Sequence, residues 1–325
     1  MKAIVCKEFG PPEKLVYEEL PAPKRGPGEV RIKVSASGVN FPDTLIIQGK
    51  YQLKADPPFV PGAEVAGTVL EVGEKVKHVR VGDLVAALLP TGGYADEVVA
   101  SGDQVMALPR GMDPAEAAAF PLVYGTTLLA LKQRAQLKAG ETLLVLGAAG
   151  GVGLAAVQIG KLMGARVIAA ASSPEKLALC KAHGADEVID YSKESLKESV
   201  KKLTKGQGAD VIYDPVGGDL AQECFSAIAW NGRYLVIGFA SGTIPQVALN
   251  RLLLKQASAV GVFWGAFVAR EPKANFENFQ QLFAWHGEGK LKPHVSHQYP
   301  LAQGAQALRD MLDRKVTGKV VLIPD

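Results

Sequence analysis

Apolar positions alternate with polar ones, or run in short stretches, through the first third of the chain. Ala3-Ile4-Val5, Val30-Arg31-Ile32-Lys33-Val34, Glu64-Val65-Ala66-Gly67-Thr68-Val69 and Val81-Gly82-Asp83-Leu84-Val85-Ala86 all read as strands. A period of two puts successive side chains on opposite faces, and Gly and Pro punctuate the runs. Many short strands at this spacing predict a small barrel or sandwich. Near Pro114 the pattern turns helical. Ala115 to Leu131 is rich in Ala and Leu, with Asp113 suited to the N-cap and Pro114 to the first helical position. From Glu141 a third rhythm begins. Strands over 142–146, 166–171, 187–190, 209–214 and 232–238 alternate with helices over 154–163, 174–183, 193–203 and 220–229. Such alternation predicts an α/β doubly wound parallel sheet. One more apolar strand is expected near Ala257–Gly265. A helix over 276–288, a short segment over 294–299, a helix over 302–313 and a strand over 318–323 follow.

Composition narrows the classes. The chain has 325 residues, enough for two domains that each bury a core. Lys+Arg is 36 and Asp+Glu is 33, a formal net charge of +3, so nothing resembles the basic stripe of a nucleic-acid binder. Lys197, Lys201 and Lys202 cluster, but Glu194 and Glu198 sit among them, the pattern of a salt-bridged helix face. Ile4-Val5-Cys6 is too short for a secretory leader and runs into Lys7 and Glu8. The longest uncharged stretch, Thr142 to Gly160, carries five glycines, which argues against a membrane helix. Cys6, Cys180 and Cys224 are widely separated. They form no disulfide framework or four-cysteine zinc site, and they point to a reducing compartment, the cytoplasm.

The clearest chemical signal is Leu143-Leu144-Val145-Leu146-Gly147-Ala148-Ala149-Gly150-Gly151-Val152-Gly153. A strand feeds a Gly-rich turn that opens a helix, the setting of the dinucleotide fingerprint G-x-G-x-x-G. Ala148 stands at the fingerprint's first glycine. Gly150 lets the backbone approach a pyrophosphate, and Gly153 permits close helix–strand packing. Ala149 through Gly153 then face the anion, with helix N–H groups as donors. An NAD site wants an acid about 20 residues on, at the end of the second strand. Ala171-Ser172-Ser173 stands there instead. Ser173 caps the next helix and Lys176 lies in its first turn. Hydroxyls, a helix N-terminus and a lysine suit a 2′-phosphate, with Tyr191 closing the pocket, so NADPH is favoured over NADH. The alternative keeps Ser173 as a cap and Lys176 as a surface lysine.

These features resemble the zinc-independent quinone oxidoreductase branch of the medium-chain dehydrogenase/reductase superfamily. The resemblance rests on Gly140-Glu141…Leu144…Ala148-Ala149-Gly150-Gly151-Val152-Gly153…Gln158…Lys161 and spans essentially the whole chain. It includes Gly38-Val39-Asn40-Phe41-Pro42-Asp43, Gly49-Lys50-Tyr51, Pro61-Gly62-Ala63-Glu64-Val65-Ala66-Gly67, Asp214-Pro215-Val216-Gly217-Gly218 and Thr317-Gly318-Lys319-Val320. It implies a GroES-like β-barrel catalytic domain over 1–124 and 262–325. A Rossmann NADP-binding domain over 125–261 would be inserted into it. It also implies a homodimer that pairs the last Rossmann strand, around Ala257–Gly265, across the two-fold, so managing an open edge.

Zinc-dependent relatives carry Cys where this chain has Asn40 and His where it has Ala63, so the resemblance implies no metal. Glu64 then reads as a buried structural acid. Without a Lewis acid the easier chemistry is hydride delivery to an electron-poor acceptor, a quinone or an enone. The resemblance places Asn40 and Asp43 beside the nicotinamide ribose and the substrate entrance. Asp43 is equally readable as a loop anchor. Tyr51 is the candidate proton donor or carbonyl polariser, or else an aromatic wall of the cleft. Thr127, after Tyr124-Gly125-Thr126, resembles the family's threonine near the nicotinamide, Gly217 would bind the cofactor, and Phe239-Ala240-Ser241 and Phe263-Trp264-Gly265 would meet it at the carboxyl ends of Rossmann strands. The Trp264 side chain can instead belong to the core, and Lys319 is either near the cofactor or solvent exposed. Two other functions compete: reduction of an enoyl thioester, and a non-enzymatic NADPH-binding role.

Overall fold

The computed structural model describes residues Met1–Gln52 and Lys54–Asp325. In chain order come β1 (Lys2–Val5), β2 (Val16–Glu19), β3 (Glu29–Val39), α1 (Phe41–Ile46), β4 (Glu64–Val72), β5 (Leu84–Leu88), β6 (Glu97–Ser101) and β7 (Val105–Ala107). Then follow α2 (Pro114–Ala118), α3 (Pro121–Leu128), β8 (Thr142–Val145), α4 (Gly151–Leu162), β9 (Arg166–Ala171), α5 (Pro174–Ala182), β10 (Glu187–Asp190) and α6 (Leu196–Leu203). Next are β11 (Ala209–Asp214), α7 (Leu220–Ala227), β12 (Ile228–Val236), α8 (Asn250–Leu253), β13 (Ser258–Gly261), α9 (Trp264–Arg270) and α10 (Pro272–Gly287). The chain ends with β14 (Val295–Pro300), α11 (Gly304–Leu312) and β15 (Lys319–Ile323).

Two compact units emerge: Met1–Leu122 with Pro293–Asp325, and Val123–Lys292. In the first, a seven-stranded sheet runs β14-β15-β3-β4-β5-β7, with β6 also on β3. Only the β14–β15 pair is parallel. The alternation read from the sequence becomes the buried face: Val30, Ile32, Val34, Val65, Val69, Val85 and Val98 form one core. Each such side chain contributes about 1.5–3 kcal/mol relative to an exposed one. A second cluster gathers Ile4, Val39, Tyr94, Leu308 and Leu322, tying the chain's late segment to its early one.

The second unit holds a six-stranded, all-parallel sheet in the order β10-β9-β8-β11-β12-β13. Leu143, Leu144 and Val145 are wholly buried, as expected of a strand covered by helices on both faces. The order reverses between β8 and β11. Connections leave those two strands in opposite directions and open a crevice at their carboxyl ends.

Four expectations change. The helix over 115–131 is broken, because Pro121 has no N–H to donate and its ring opposes the carbonyl one turn back; α2 stops at Ala118 and α3 restarts at Pro121. The strand near 257–265 ends at Gly261, and Trp264 begins a helix. The segment over 294–299 is a strand, β14. The return to the first unit comes at Pro293 rather than near 262. Residues 262–292 stay with the second unit because their polar groups are satisfied there. Trp264 Nε1 donates to Asn275 Oδ1 at 3.2 Å, Gln133 Nε2 to Asn278 Oδ1 at 2.8 Å, and Lys292 N to Gln158 Oε1 at 2.9 Å.

Candidate active site

In the second unit the Gly-rich loop leaves β8 at Gly147, whose φ of +53° L side chains rarely adopt. The Gly150 N–H closes the turn on the Gly147 carbonyl at 3.0 Å. The turn glycine therefore sits one residue before Ala148, the position of the fingerprint's first glycine. At Gly153 a Cβ would stand 2.3 Å from the Gly147 oxygen and 2.7 Å from Ala148 Cα, so helix and strand could not close. At Gly150 a Cβ would meet only the Gly147 oxygen, at 3.3 Å. That face of the loop is open and fits the close approach of a pyrophosphate. Helix α4 has no side-chain cap, so its first N–H groups, on Gly151, Val152 and Gly153, are left for an anion. Ala149 is buried behind them. Thr127 is fully buried too, its hydroxyl 2.9 Å from the Tyr213 hydroxyl and 3.4 Å from the Val152 carbonyl. It supports the first turn of α4 from inside the fold.

At the end of β9, Ser173 caps α5, its hydroxyl accepting from the Lys176 N–H at 3.4 Å. The Tyr191 N–H donates to the Ala171 carbonyl at 3.2 Å, which sets Tyr191 beside Ser172 and Ser173. The residues that end this strand, Ala171, Ser172 and Ser173, include no acid, while Asp190 of the neighbouring strand pairs with Ala171.

At the end of β11, Asp214 is buried. Its Oδ1 accepts from the N–H groups of Val216 (2.7 Å) and Gly217 (2.9 Å), and its Oδ2 from the Tyr234 hydroxyl. Burial pushes the carboxyl above the usual range. The loop it shapes is joined to the loop after β12: Ala240 N donates to Pro215 O at 3.0 Å and Ser241 N to Val216 O at 2.9 Å. Gly217, Phe239, Ala240 and Ser241 are thereby brought together. Phe263 is exposed, while the Trp264 side chain is buried against Gly125 and Asn275 and belongs to the core. Gly265 opens α9 with it.

In the first unit the residues predicted for catalysis form a buried polar network. Lys319 Nζ donates to Val39 O (3.0 Å), Asn40 Oδ1 (2.5 Å) and Glu64 Oε1 (2.7 Å). All three ammonium protons are used inside the fold, and Lys319 is not solvent exposed. Asn40 Nδ2 donates to Glu64 Oε1 at 2.8 Å, and Leu122 N to Glu64 Oε2 at 2.9 Å. Asp43 closes a capping box on α1: its Oδ2 accepts from Asn40 N (2.8 Å) and from the Tyr94 hydroxyl (2.7 Å). Its Oδ1 has no partner among the described residues. Burial pushes the Asp43 carboxyl up to about 6. Tyr51 is half-buried, and burial, then the Asp43 charge, holds its phenol above the ordinary range.

The donor set does not fit zinc. Asn40 has its amide committed to Lys319 and Glu64, the Ala63 side chain offers no ligand atom, and an ammonium already lies against the Glu64 carboxylate. Sequence reasoning missed Asp214 as a shaping residue, although an acid ending an apolar strand before Pro-x-Gly-Gly was a usable signal. It also missed Tyr94 and Tyr234, which nothing in the local pattern distinguishes from core aromatics.

Family models for a zinc-binding dehydrogenase and an alcohol dehydrogenase GroES-like domain match residues 151–285 and 26–110. The quinone oxidoreductase-like protein 2 homolog of Nematostella vectensis is 42% identical over 99% of this chain and 88% of its own length. A quinone oxidoreductase of Pseudomonas aeruginosa is 37% identical over 99% of each chain. The solved structure of Escherichia coli quinone oxidoreductase complexed with NADPH superposes with a TM-score of 0.93, at 30% identity and full coverage of both chains.

Proposed function

Because the chain belongs to the quinone oxidoreductase family of the medium-chain dehydrogenases/reductases, we propose that it reduces a quinone or an α,β-unsaturated carbonyl with NADPH. The observation that carries this reading is the second unit's phosphate loop. It has an open face at Gly150 and an uncapped α4 N-terminus, and serines and a lysine replace an acid at the end of β9. Ser172, Ser173, Lys176 and Tyr191 would take the 2′-phosphate, Ala149 to Gly153 the pyrophosphate, and Gly217, Phe239 to Ser241 and Phe263 to Gly265 the nicotinamide half. When bound, reduced nicotinamide supplies the hydride.

The chain's own work is to hold the acceptor and provide the proton. Tyr51 is the residue offered for this. Its raised phenol stays protonated at neutral pH and can donate a hydrogen bond to a carbonyl oxygen. Asn40, Asp43 and Lys319 support the loop that carries it. Partner and location complete the proposal. The chain forms a homodimer through the open edge of β13 and the exposed Ile244, Leu249, Leu253 and Leu254, and it works in the cytoplasm, where Cys6, Cys180 and Cys224 stay reduced.

The test follows NADPH oxidation with quinones, enones and enoyl-CoA esters. Acceleration by the first two is expected, and Tyr51→Phe should lower turnover by 10-fold or more at unchanged NADPH affinity. A thioester preference of about 100-fold, or ~2.7 kcal/mol at the transition state, would assign the protein to enoyl reduction instead. Tight NADPH binding with no accelerating acceptor would make it a binding protein.

A further inference from the structure

Asp214 is 1% exposed, yet all of its polar capacity is turned inward, onto one loop and one neighbouring strand. Oδ1 gathers the N–H groups of Val216 and Gly217, and Oδ2 takes the Tyr234 hydroxyl from β12. The bend this enforces places Gly217 and Gly218 at φ +68° and +63°. It also leaves them so tightly covered that a Cβ would stand 3.0 Å from Phe239 Cδ1 at the first and 2.9 Å from Ser241 Oγ at the second. Three backbone bonds then join residues 215–218 to 240–243: Ala240 N to Pro215 O, Ser241 N to Val216 O, and Gly218 N to Thr243 O at 3.0 Å. On its other side the same loop touches the phosphate loop, since a Cβ on Gly147 would lie 2.9 Å from Val216 Cγ2. One carboxylate thus fixes the shape of the two loops that follow β11 and β12, and these border the loop that follows β8.

We propose that Asp214, clamped by Tyr234, is the positioning residue for the nicotinamide half of the cofactor pocket. This rests on the NADPH reading above. In a parallel sheet of this order the adenosine half of a dinucleotide lies over β8 and β9, and the other half over β11 to β13. Asp214 therefore acts on one half of the ligand and not on the other. A merely structural buried acid would lower stability without distinguishing the two halves.

The test compares two probes, NADPH and 2′,5′-ADP, by calorimetric titration of wild type, Asp214→Asn and Tyr234→Phe. Tyr234→Phe removes one hydroxyl and keeps the ring's packing on Phe225 at 4.4 Å between centroids, so it provides a second variant if Asp214→Asn does not fold. The expected result is a rise of about 10-fold in the Kd for NADPH, worth ~1.4 kcal/mol. The Kd for 2′,5′-ADP should stay within twofold. Equal weakening of both probes, or unchanged NADPH binding with only a lower Tm, would overturn the assignment. Wild-type protein that binds neither probe would overturn the cofactor reading, and the positioning role with it.

Discussion

Asp43 holds its proton to about pH 6 in the folded chain, against 3.8 for the unsupported carboxyl. Its pKa is raised on folding, so between those values the folded state keeps a proton that the unfolded state has released. Asp43 therefore favours folding below that window and loses this contribution as pH rises through it, by up to about 3 kcal/mol. Asp43→Asn removes the titration. Denaturant unfolding of both proteins from pH 4 to 7 should show the variant gaining on wild type as pH rises, and a pH-independent difference would refute this. Lys319 gives the opposite kind of test. Lys319→Met leaves the buried Glu64 without its cation, which should cost about 3–5 kcal/mol. Adding Glu64→Gln should recover part of that loss, as read by the same unfolding curves. The anchoring role of Asp43 was one of two readings open in the sequence, whereas the pairing of Lys319 with Glu64 was not legible there. Lys319 lies 255 positions from Glu64 and 279 from Asn40, and only the folded sheet makes them neighbours.

At the scale of elements, the proposed 2′-phosphate site makes the N-terminus of α5 the place where the cofactor would be chosen. Lys176→Ala should weaken NADPH by about 10-fold and NADH hardly at all, and equal weakening of both in a titration would end the 2′-phosphate assignment. The elements here were readable because their signals are local. Ser173 before Pro174 announces a helix start, and an unbroken apolar run at Leu143 to Leu146 announces a covered strand. A tertiary contact overrides the local pattern in one place, and a proline within the run breaks it in another. The apolar run after β13 looked like more strand, but Trp264 turns inward onto Gly125 and Asn275 and a helix forms. The Ala/Leu-rich stretch after Pro114 looked like one helix, and Pro121 divides it. The phosphate loop was recognised with its turn glycine one place out of register, because the φ of Gly147 is not visible in composition.

At the scale of the molecule, β13 leaves an unpaired strand edge on the second unit's sheet, with Leu249, Leu253 and Leu254 each more than 70% exposed in the segment before it. Pairing with a second copy, as proposed, would cover both. Light scattering should give a dimer mass for wild type, and Leu253→Glu with Leu254→Glu should give a folded monomer. A wild-type monomer at micromolar concentration would refute the dimer. The order of the strands along the chain also bears on how the protein is made. The second unit is continuous, so every strand of its sheet has been synthesised by residue 261. The first is not: β3 must wait for β15, some 280 residues later, before Val39, Gly38 and Ser37 find their partners Val320, Val321 and Leu322. Contacts this distant in sequence form slowly. During synthesis the chain thus carries a finished nucleotide-binding half beside a catalytic half whose sheet edge is open and whose Glu64 has no counter-ion. A ribosome stalled just short of Lys319 would hold a protein with its cofactor loop complete and with Asn40 and Glu64 still lacking the lysine that joins them.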